Sequence, residues 1–209
     1  MKRLCPMIVA ICGVKRSGKD AIAGRILQSD QKFSHVKISE SLKKMCRLLF
    51  NFTEEEVEGP EKDYIAATWG ITPRKAMQFI GTEVMQYKIQ EILPDVGRCF
   101  WIKKILTDPT LSTKPIVISD LRFKHEEQAL RHSGRRVVII KVTRPAHTPE
   151  SEEEGEEDLH PSEQEWKEVR EDVWIRNEGT LLDLYEQVDR LLVEINRSDT
   201  VEPIHVLHK

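Results

Sequence analysis

Long hydrophobic runs are missing from this sequence. Its longest apolar stretches, such as Met7 to Cys12, fall far short of the roughly 20 residues that cross a bilayer, so no membrane partner is expected. The N-terminus, Met-Lys-Arg before one short apolar stretch, lacks signal-peptide length and a small-residue cleavage site, and a cytoplasmic protein is expected. Cysteine is scarce. The four cysteines (Cys5, Cys12, Cys46, Cys99) show no CxxC spacing, and three sit in apolar contexts. That pattern suits buried thiols in a reducing compartment rather than disulfides. A basic excess is absent too: Lys plus Arg number 32 against 35 Asp plus Glu, a net charge of −3. A nucleic-acid coat protein would show the opposite balance, so no nucleic-acid partner is expected. The seven histidines form no metal-binding spacing, and no internal repeat is visible.

What is present suits one domain with a small lobe or lid, with a radius of gyration of about 17 Å. Apolar residues make up 39% of the 209, enough for a packed core. The acids are uneven: Glu150 to Asp158 is almost wholly acidic, and its ordinary reading is a solvated loop. The tail from Arg197 to Lys209 reads as a loosely ordered extension.

Met7–Cys12, ending at Gly13, reads as a strand buried on both faces of a parallel sheet. Further strands are expected at His35–Ser39, Pro115–Ser119, Val137–Val142 and Val173–Arg176, with helices at Asp20–Gln28 and Lys43–Phe50. Thr72-Pro73 is a helix start, hydroxyl cap then proline. After it, Met77, Ile80, Val84 and Tyr87 form the expected buried stripe. Arg74, Gln78, Gly81 and Thr82 share another face, which is either a ligand border or plain solvent surface. Thr180 starts a last helix, with Asp183 as reciprocal cap and Leu181, Leu184, Val188, Leu191 and Ile195 as its stripe. Alternating strands and helices imply right-handed βαβ units and a parallel sheet covered on both faces.

Gly13-Val14-Lys15-Arg16-Ser17-Gly18-Lys19-Asp20 fits GxxxxGK between a strand and a helix. Such glycines let successive backbone N–H groups turn inward as an anion nest. The helix N-terminus adds its positive dipole end, and Lys19 can reach the β- and γ-phosphates of a nucleotide. Asp20 stands where a serine or threonine usually holds Mg²⁺, and Ala21 supplies no hydroxyl either. Asp20 could hold the ion directly, hold it through water, or sit near the attacking oxygen.

This loop resembles that of the deoxynucleoside monophosphate kinases of tailed bacteriophages and large DNA viruses. The likeness recurs in Thr72-Pro73-Arg74 through Gly81-Thr82-Glu83, in Arg98-Cys99-Phe100-Trp101, and in Ser119-Asp120-Leu121-Arg122 through Glu126. It continues in Val142-Thr143-Arg144-Pro145, His160-Pro161-Ser162-Glu163 and Asn177-Glu178-Gly179-Thr180-Leu181. It covers about residues 6 to 196. The resemblance implies a P-loop kinase fold: a three-layer α/β sandwich with a five-stranded parallel sheet, helices on both faces, an acceptor-binding helical region at about 40–105 and a lid at about 144–171. Within the implied domain of residues 1–196, ATP and Mg²⁺ would be the cofactors and small-molecule nucleotides the partners, with a homodimer left open.

The resemblance also distributes roles. Lys15, Arg16, Lys19 and Asp20 would serve catalysis, with Asp20 on the metal. Gly13, Arg16, Ser17, Gly18, Lys19, Asp20 and Ala21 would hold ATP phosphates, and Asn177 and Gly179 the adenine. Lys15, Ser39, Lys43, Arg74, Gly81, Thr82, Trp101, Asp120, Arg122, Glu126 and Arg144 would meet the acceptor. Asp120 also reads as a plain helix cap, Arg122 with Glu126 as an ion pair, and Trp101 as a core tryptophan. Arg144 and Arg170 bracket the acidic loop. Two competing readings are a phosphomevalonate kinase, whose animal-type members carry a similar loop, and a non-catalytic P-loop nucleotide-binding protein.

Overall fold

A computed structural model describes residues 6–145 and 160–197 of the chain. The acidic run at 150–158, residues 146–159 of the expected lid, and the tail beyond 197 lie outside the described residues. In chain order the elements are β1 (Ile8–Cys12), α1 (Lys19–Ser29), β2 (Ser34–Val36), α2 (Glu40–Phe50), α3 (Glu54–Glu58), α4 (Pro73–Gln78) and α5 (Phe100–Leu106). They continue with β3 (Ile116–Ile118), α6 (Lys124–Arg131), β4 (Val137–Thr143), α7 (Pro161–Gln164), β5 (Val173–Arg176) and α8 (Leu181–Arg197). Two compact units result, one from Met1–Lys37 with Leu106–Lys209 and one from Ile38–Ile105.

The first unit is built on a five-stranded sheet in the order β2-β3-β1-β4-β5, with every pair parallel. Ile8 of β1 stands opposite Ile116 of β3 and Val137 of β4. All five residues of β1 and all three of β3 are buried, which is why these strands read as unbroken apolar runs. The edge strand β5 alternates, with Val173 and Ile175 inward and Trp174 and Arg176 outward. From β1 the chain winds toward β2, whereas from β3 it passes β1 to reach β4. Right-handed crossovers therefore place α1 and α6 on opposite faces. The connections reverse direction at β1 and β3, and in open α/β sheets the carboxyl ends of strands at such a reversal are where ligands bind.

On one face Val9, Ile11 and Ile140 pack against Ile22 and Ile26 of α1 and Val188 of α8. Arg25 of α1 grips Asp189 of α8 with Nε and Nη2, at 2.8 and 2.5 Å. Thr180 and Asp183 cap α8 reciprocally: the Asp183 carboxylate accepts from the Thr180 N–H at 2.7 Å, and Thr180 Oγ1 accepts from the Asp183 N–H at 3.3 Å. The expected α8 stripe needs one correction. Leu184, Val188, Leu191 and Ile195 are buried, but Leu181 is 56% exposed because it begins the helix directly after the cap.

The second unit packs Cys46 of α2, Phe52, Val57 of α3 and Ala76 of α4 into its own core. Thr53 and Glu56 form a capping box at the start of α3. Thr72 Oγ1 accepts from the Lys75 N–H at 3.1 Å, with Pro73 first in α4. Beyond α4 the structure departs from the expected single α-helix, because Phe79–Tyr87 is π-helical. Its i→i+5 bonds widen the turn, so residues three and four apart no longer line one face. Gly81, Thr82 and Gln86 are buried as a result, whereas Tyr87, expected in the stripe, is exposed.

Candidate active site

The loop between β1 and α1 turns through three residues with positive φ, Gly13 at 146°, Arg16 at 63° and Gly18 at 111°. A Cβ on Gly13 would lie 2.3 Å from the Val142 carbonyl oxygen, and one on Gly18 would lie 2.8 Å from Asn177 Nδ2. Only glycine fits those two conformations at that closeness. Lys15 and Arg16 are exposed at the tip of the loop. Lys19 turns back over it, its ammonium donating to the carbonyls of Gly13 at 2.8 Å and Val14 at 2.6 Å. Ser17 is fully buried, yet its hydroxyl has no hydrogen-bond partner among the described residues. Ala21 is half-buried in the first turn of α1. Just before the loop, burial pushes the Cys12 thiol up to about 12, so it is no nucleophile at neutral pH.

Asp20 occupies the first turn of α1, with its side chain 77% exposed. Its Oδ1 accepts from Ser119 Oγ at 3.3 Å and lies 3.4 Å from Lys37 Nζ. Ser119 and Asp120 follow β3, and the Leu121 N–H donates to the Ile11 carbonyl at 3.2 Å, tying this exit to β1. Asp120, whose alternative reading is a helix cap, lies three residues before Phe123, the N-cap position of α6. Buried Glu126 accepts the backbone N–H groups of Arg122 at 3.0 Å and Phe123 at 3.1 Å through Oε2. Glu126 thus shapes the turn that carries Arg122, whose own side chain is exposed. Burial raises the Glu126 carboxyl to about 7, against the lowering pull of those two N–H groups.

The exits of β4 and β5 adjoin. The Asn177 N–H donates to the Thr143 carbonyl at 2.8 Å, while exposed Arg144 follows β4 and exposed Gly179 follows Asn177. Asn177 is 7% exposed, and its Nδ2 donates to the Ser17 carbonyl at 2.9 Å. Its side chain therefore holds the β1–α1 loop. Arg131 of α6 binds Glu127, Asp172 and, at 2.8 Å, the Arg170 carbonyl, anchoring the chain where it re-enters the sheet.

In the second unit, Ser39 precedes α2, and its carbonyl accepts from the Lys43 N–H at 2.9 Å. Lys43 Nζ lies 2.5 Å from Glu58 Oε2. Arg74 closes its guanidinium fork on Asp63, through Nε and through Nη2 at 3.1 Å. The Trp101 indole N–H donates to the Gly81 carbonyl at 3.0 Å in a buried contact, so Trp101 braces the π-helical segment from within the core. Arg98 donates to the Gln86 side-chain oxygen at 3.2 and 3.1 Å and stacks over Tyr87.

The sequence profile of the deoxynucleotide monophosphate kinase family matches residues 62–188. The chain belongs to that family. It is 26% identical over 193 residues to a putative deoxynucleotide monophosphate kinase of Acanthamoeba polyphaga mimivirus, covering 87% of this chain and 94% of the relative. Among solved structures it is similar to a shikimate kinase from Aquifex aeolicus, at 10% identity and a TM-score of 0.49, over 93% of this chain and 100% of that one. It is also similar to a dephospho-CoA kinase from Campylobacter jejuni, at 15% identity and a TM-score of 0.45, over 93% and 98%. The fold rests on the parallel sheet and its order, not on these likenesses. As a member of the deoxynucleotide monophosphate kinase family, the chain is a nucleotide kinase.

The β1–α1 loop carries two features suited to an anion, a buried Ser17 hydroxyl with no hydrogen-bond partner among the described residues and the start of an eleven-residue helix. Among the described residues no group of three His, Cys, Asp or Glu side chains is disposed to hold a metal ion. Mg²⁺ does not require one, since it takes one or two carboxylates together with substrate phosphates, and Asp20 is the carboxylate at the loop. Among the described residues no helix is long and apolar enough to cross a membrane. Sequence reasoning did not find His35, which lies 2.9 Å from Ser119 Oγ, nor Asp63 in the Arg74 fork. Neither belongs to a recognisable motif, and only contact in space reveals them.

Proposed function

We propose that this nucleotide kinase moves the γ-phosphoryl group of ATP onto a deoxynucleoside 5′-monophosphate. The observation that carries the reading is the Gly13–Lys19 loop. It stands at the carboxyl edge of a parallel sheet, its buried Ser17 hydroxyl unpartnered among the described residues, in a chain of the deoxynucleotide monophosphate kinase family. An acceptor phosphate oxygen attacks the γ-phosphorus, the bond to the β–γ bridging oxygen breaks, and ADP leaves. Such transfer asks the protein for positioning and charge stabilisation rather than covalent chemistry.

Backbone N–H groups from Gly13 to Lys19 hold the donor phosphates, and Lys19 stabilises charge spreading over the transferred group. Lys15 and Arg16 add cations from the loop tip. Asp20 holds Mg²⁺, which when bound neutralises charge on the β- and γ-phosphates. Asn177 keeps the loop in shape, and the backbone near Gly179 takes the adenine. Arg74, Ser39 and Lys43 serve the acceptor, with Gly81 and Thr82 bordering its base and Trp101 supporting them. Asp120, Arg122 and Arg144 bring further polar groups from the carboxyl edge, and Glu126 fixes the turn beneath Arg122. We assign residues 1–196 to one kinase domain with an acceptor-binding region at about 40–105 and a lid at about 144–171.

The fork of Arg74 supports its assignment. A guanidinium that grips a carboxylate through two nitrogens has the geometry to grip a phosphate, and in this structure Asp63 fills the fork. A coupled ADP-release assay tests the reading with deoxynucleoside monophosphates, ribonucleoside monophosphates and phosphomevalonate as separate acceptors. Release with the deoxynucleotides supports it. Release with phosphomevalonate alone would move the enzyme to another acceptor, and nucleotide binding without acceptor-dependent release would make it a binding protein.

A further inference from the structure

Asp20 does not stand alone at the start of α1. Ser119 is 2% exposed, and its Oγ lies 3.3 Å from Asp20 Oδ1 and 2.9 Å from His35 Nε2. Strand register explains the convergence. His35 of β2 stands opposite Val117 of β3, and Ser119 lies two residues beyond Val117. Alternate residues of a strand share a face, so His35, Lys37 and Ser119 gather on one side of the sheet, where the first turn of α1 brings Asp20.

Proton accounting fixes the direction of the chain. A hydroxyl has one proton to donate, and an ionised carboxylate only accepts. Ser119 therefore donates to Asp20, and His35 Nε2–H donates to Ser119. The link to Asp20 is long for an O–H···O contact, so its value lies in aiming the carboxylate more than in binding strength. Lys37 meets the same Oδ1 at 3.4 Å. Asp20 Oδ2 has no hydrogen-bond partner among the described residues. One carboxylate oxygen is thus anchored from β2 and β3.

We infer that His35 and Ser119 are positioning residues that hold the Asp20 carboxylate as the cation ligand of a phosphate loop that has no hydroxyl after Lys19. The inference rests on the nucleotide-kinase reading above and deepens it at one side chain. Where a loop threonine or serine would be placed by the helix itself, a longer and exposed aspartate needs a brace from neighbouring strands.

The test measures ADP affinity by calorimetry with Mg²⁺ and again with EDTA, without catalysis. The ratio of the two affinities is the cation's contribution. Losing one orienting hydrogen bond should lower that ratio about three- to tenfold. His35→Ala and Ser119→Ala should both do so while leaving ADP affinity in EDTA unchanged. His35 is exposed, so its replacement spares the core even if Ser119→Ala disturbs it. Ser119→Thr, which keeps the hydroxyl, should restore the ratio, and His35→Gln, which keeps an N–H donor, should restore part of it. An unchanged ratio in His35→Ala beside a normal wild-type ratio would overturn this inference alone. Equal losses with Mg²⁺ and EDTA would also overturn it, by making the chain merely structural. A wild-type protein whose ADP binding gains nothing from Mg²⁺ would overturn both the inference and the reading beneath it.

Discussion

Replacing Glu126 by glutamine should change how stability depends on pH, in a direction the structure dictates. Glu126 is 4% exposed, and a single oxygen, Oε2, accepts both the Arg122 and Phe123 N–H groups. Burial is the dominant influence and lifts the carboxyl from 4.5 to about 7. The unfolded chain releases this proton near its ordinary value, whereas the folded protein keeps it until about pH 7. Between those limits the folded state binds more protons, so stability falls as pH rises. The contribution is complete below about 4.5 and lost above about 7, and the full difference corresponds to about 3 kcal/mol. Glutamine stays neutral and keeps an oxygen for both N–H groups. Glu126→Gln should therefore gain stability over the parent by up to about 3 kcal/mol between pH 4.5 and 8. Urea unfolding of both proteins at several pH values reads the difference directly. A gap that does not vary with pH, or one that moves against the variant as pH rises, would refute the reasoning.

Three further outcomes follow from the geometry. Lys19→Ala should lower kcat roughly 10²- to 10³-fold with the fold intact by circular dichroism, and near-parental turnover would remove the phosphate-site assignment. Arg74→Ala should weaken acceptor binding about ten- to 150-fold while sparing ATP, with partial recovery in Arg74→Lys, because an ammonium has no planar fork. Equal losses for ATP and acceptor in steady-state kinetics would take Arg74 out of the acceptor's reach. Asn177→Ala should leave the Ser17 carbonyl without its buried donor and cost about 1–3 kcal/mol in denaturant unfolding; no loss would show that the tether does not hold the loop.

Much of the sheet was legible because its strands are simple objects. β1 and β3 are buried on both faces, so each reads as an apolar run, and Val137–Thr143 and Val173–Arg176 match their expected spans within a residue. The turn between β1 and α1 was legible because its signals are local: glycines, a lysine and a helix start within eight positions. The π-helical segment was not, since Phe79–Tyr87 continues the apolar spacing of α4 and nothing in that spacing marks a wider turn. Contacts between distant positions were equally hidden. Asn177 reaches Ser17 across 160 residues, and His35 reaches Ser119 across 84. The family resemblance casts Arg74 as an acceptor ligand, but nothing local announces Asp63 as the carboxylate that fills its fork.

The central claim is transfer of a phosphoryl group from ATP to a deoxynucleoside monophosphate, and following the group itself tests it most directly. The protein is incubated with Mg²⁺ and ATP labelled in the γ-phosphoryl, with each deoxynucleoside monophosphate in turn and with its ribonucleotide counterpart. The account predicts label in the β-position of a deoxynucleoside diphosphate, one equivalent for each ADP formed, with a lower kcat/KM for the ribonucleotide. Comparable values for dGMP and GMP, or for dTMP and UMP, would strike the deoxy preference alone. Label released as inorganic phosphate, or retained in ATP with every nucleotide acceptor, would contradict the claim.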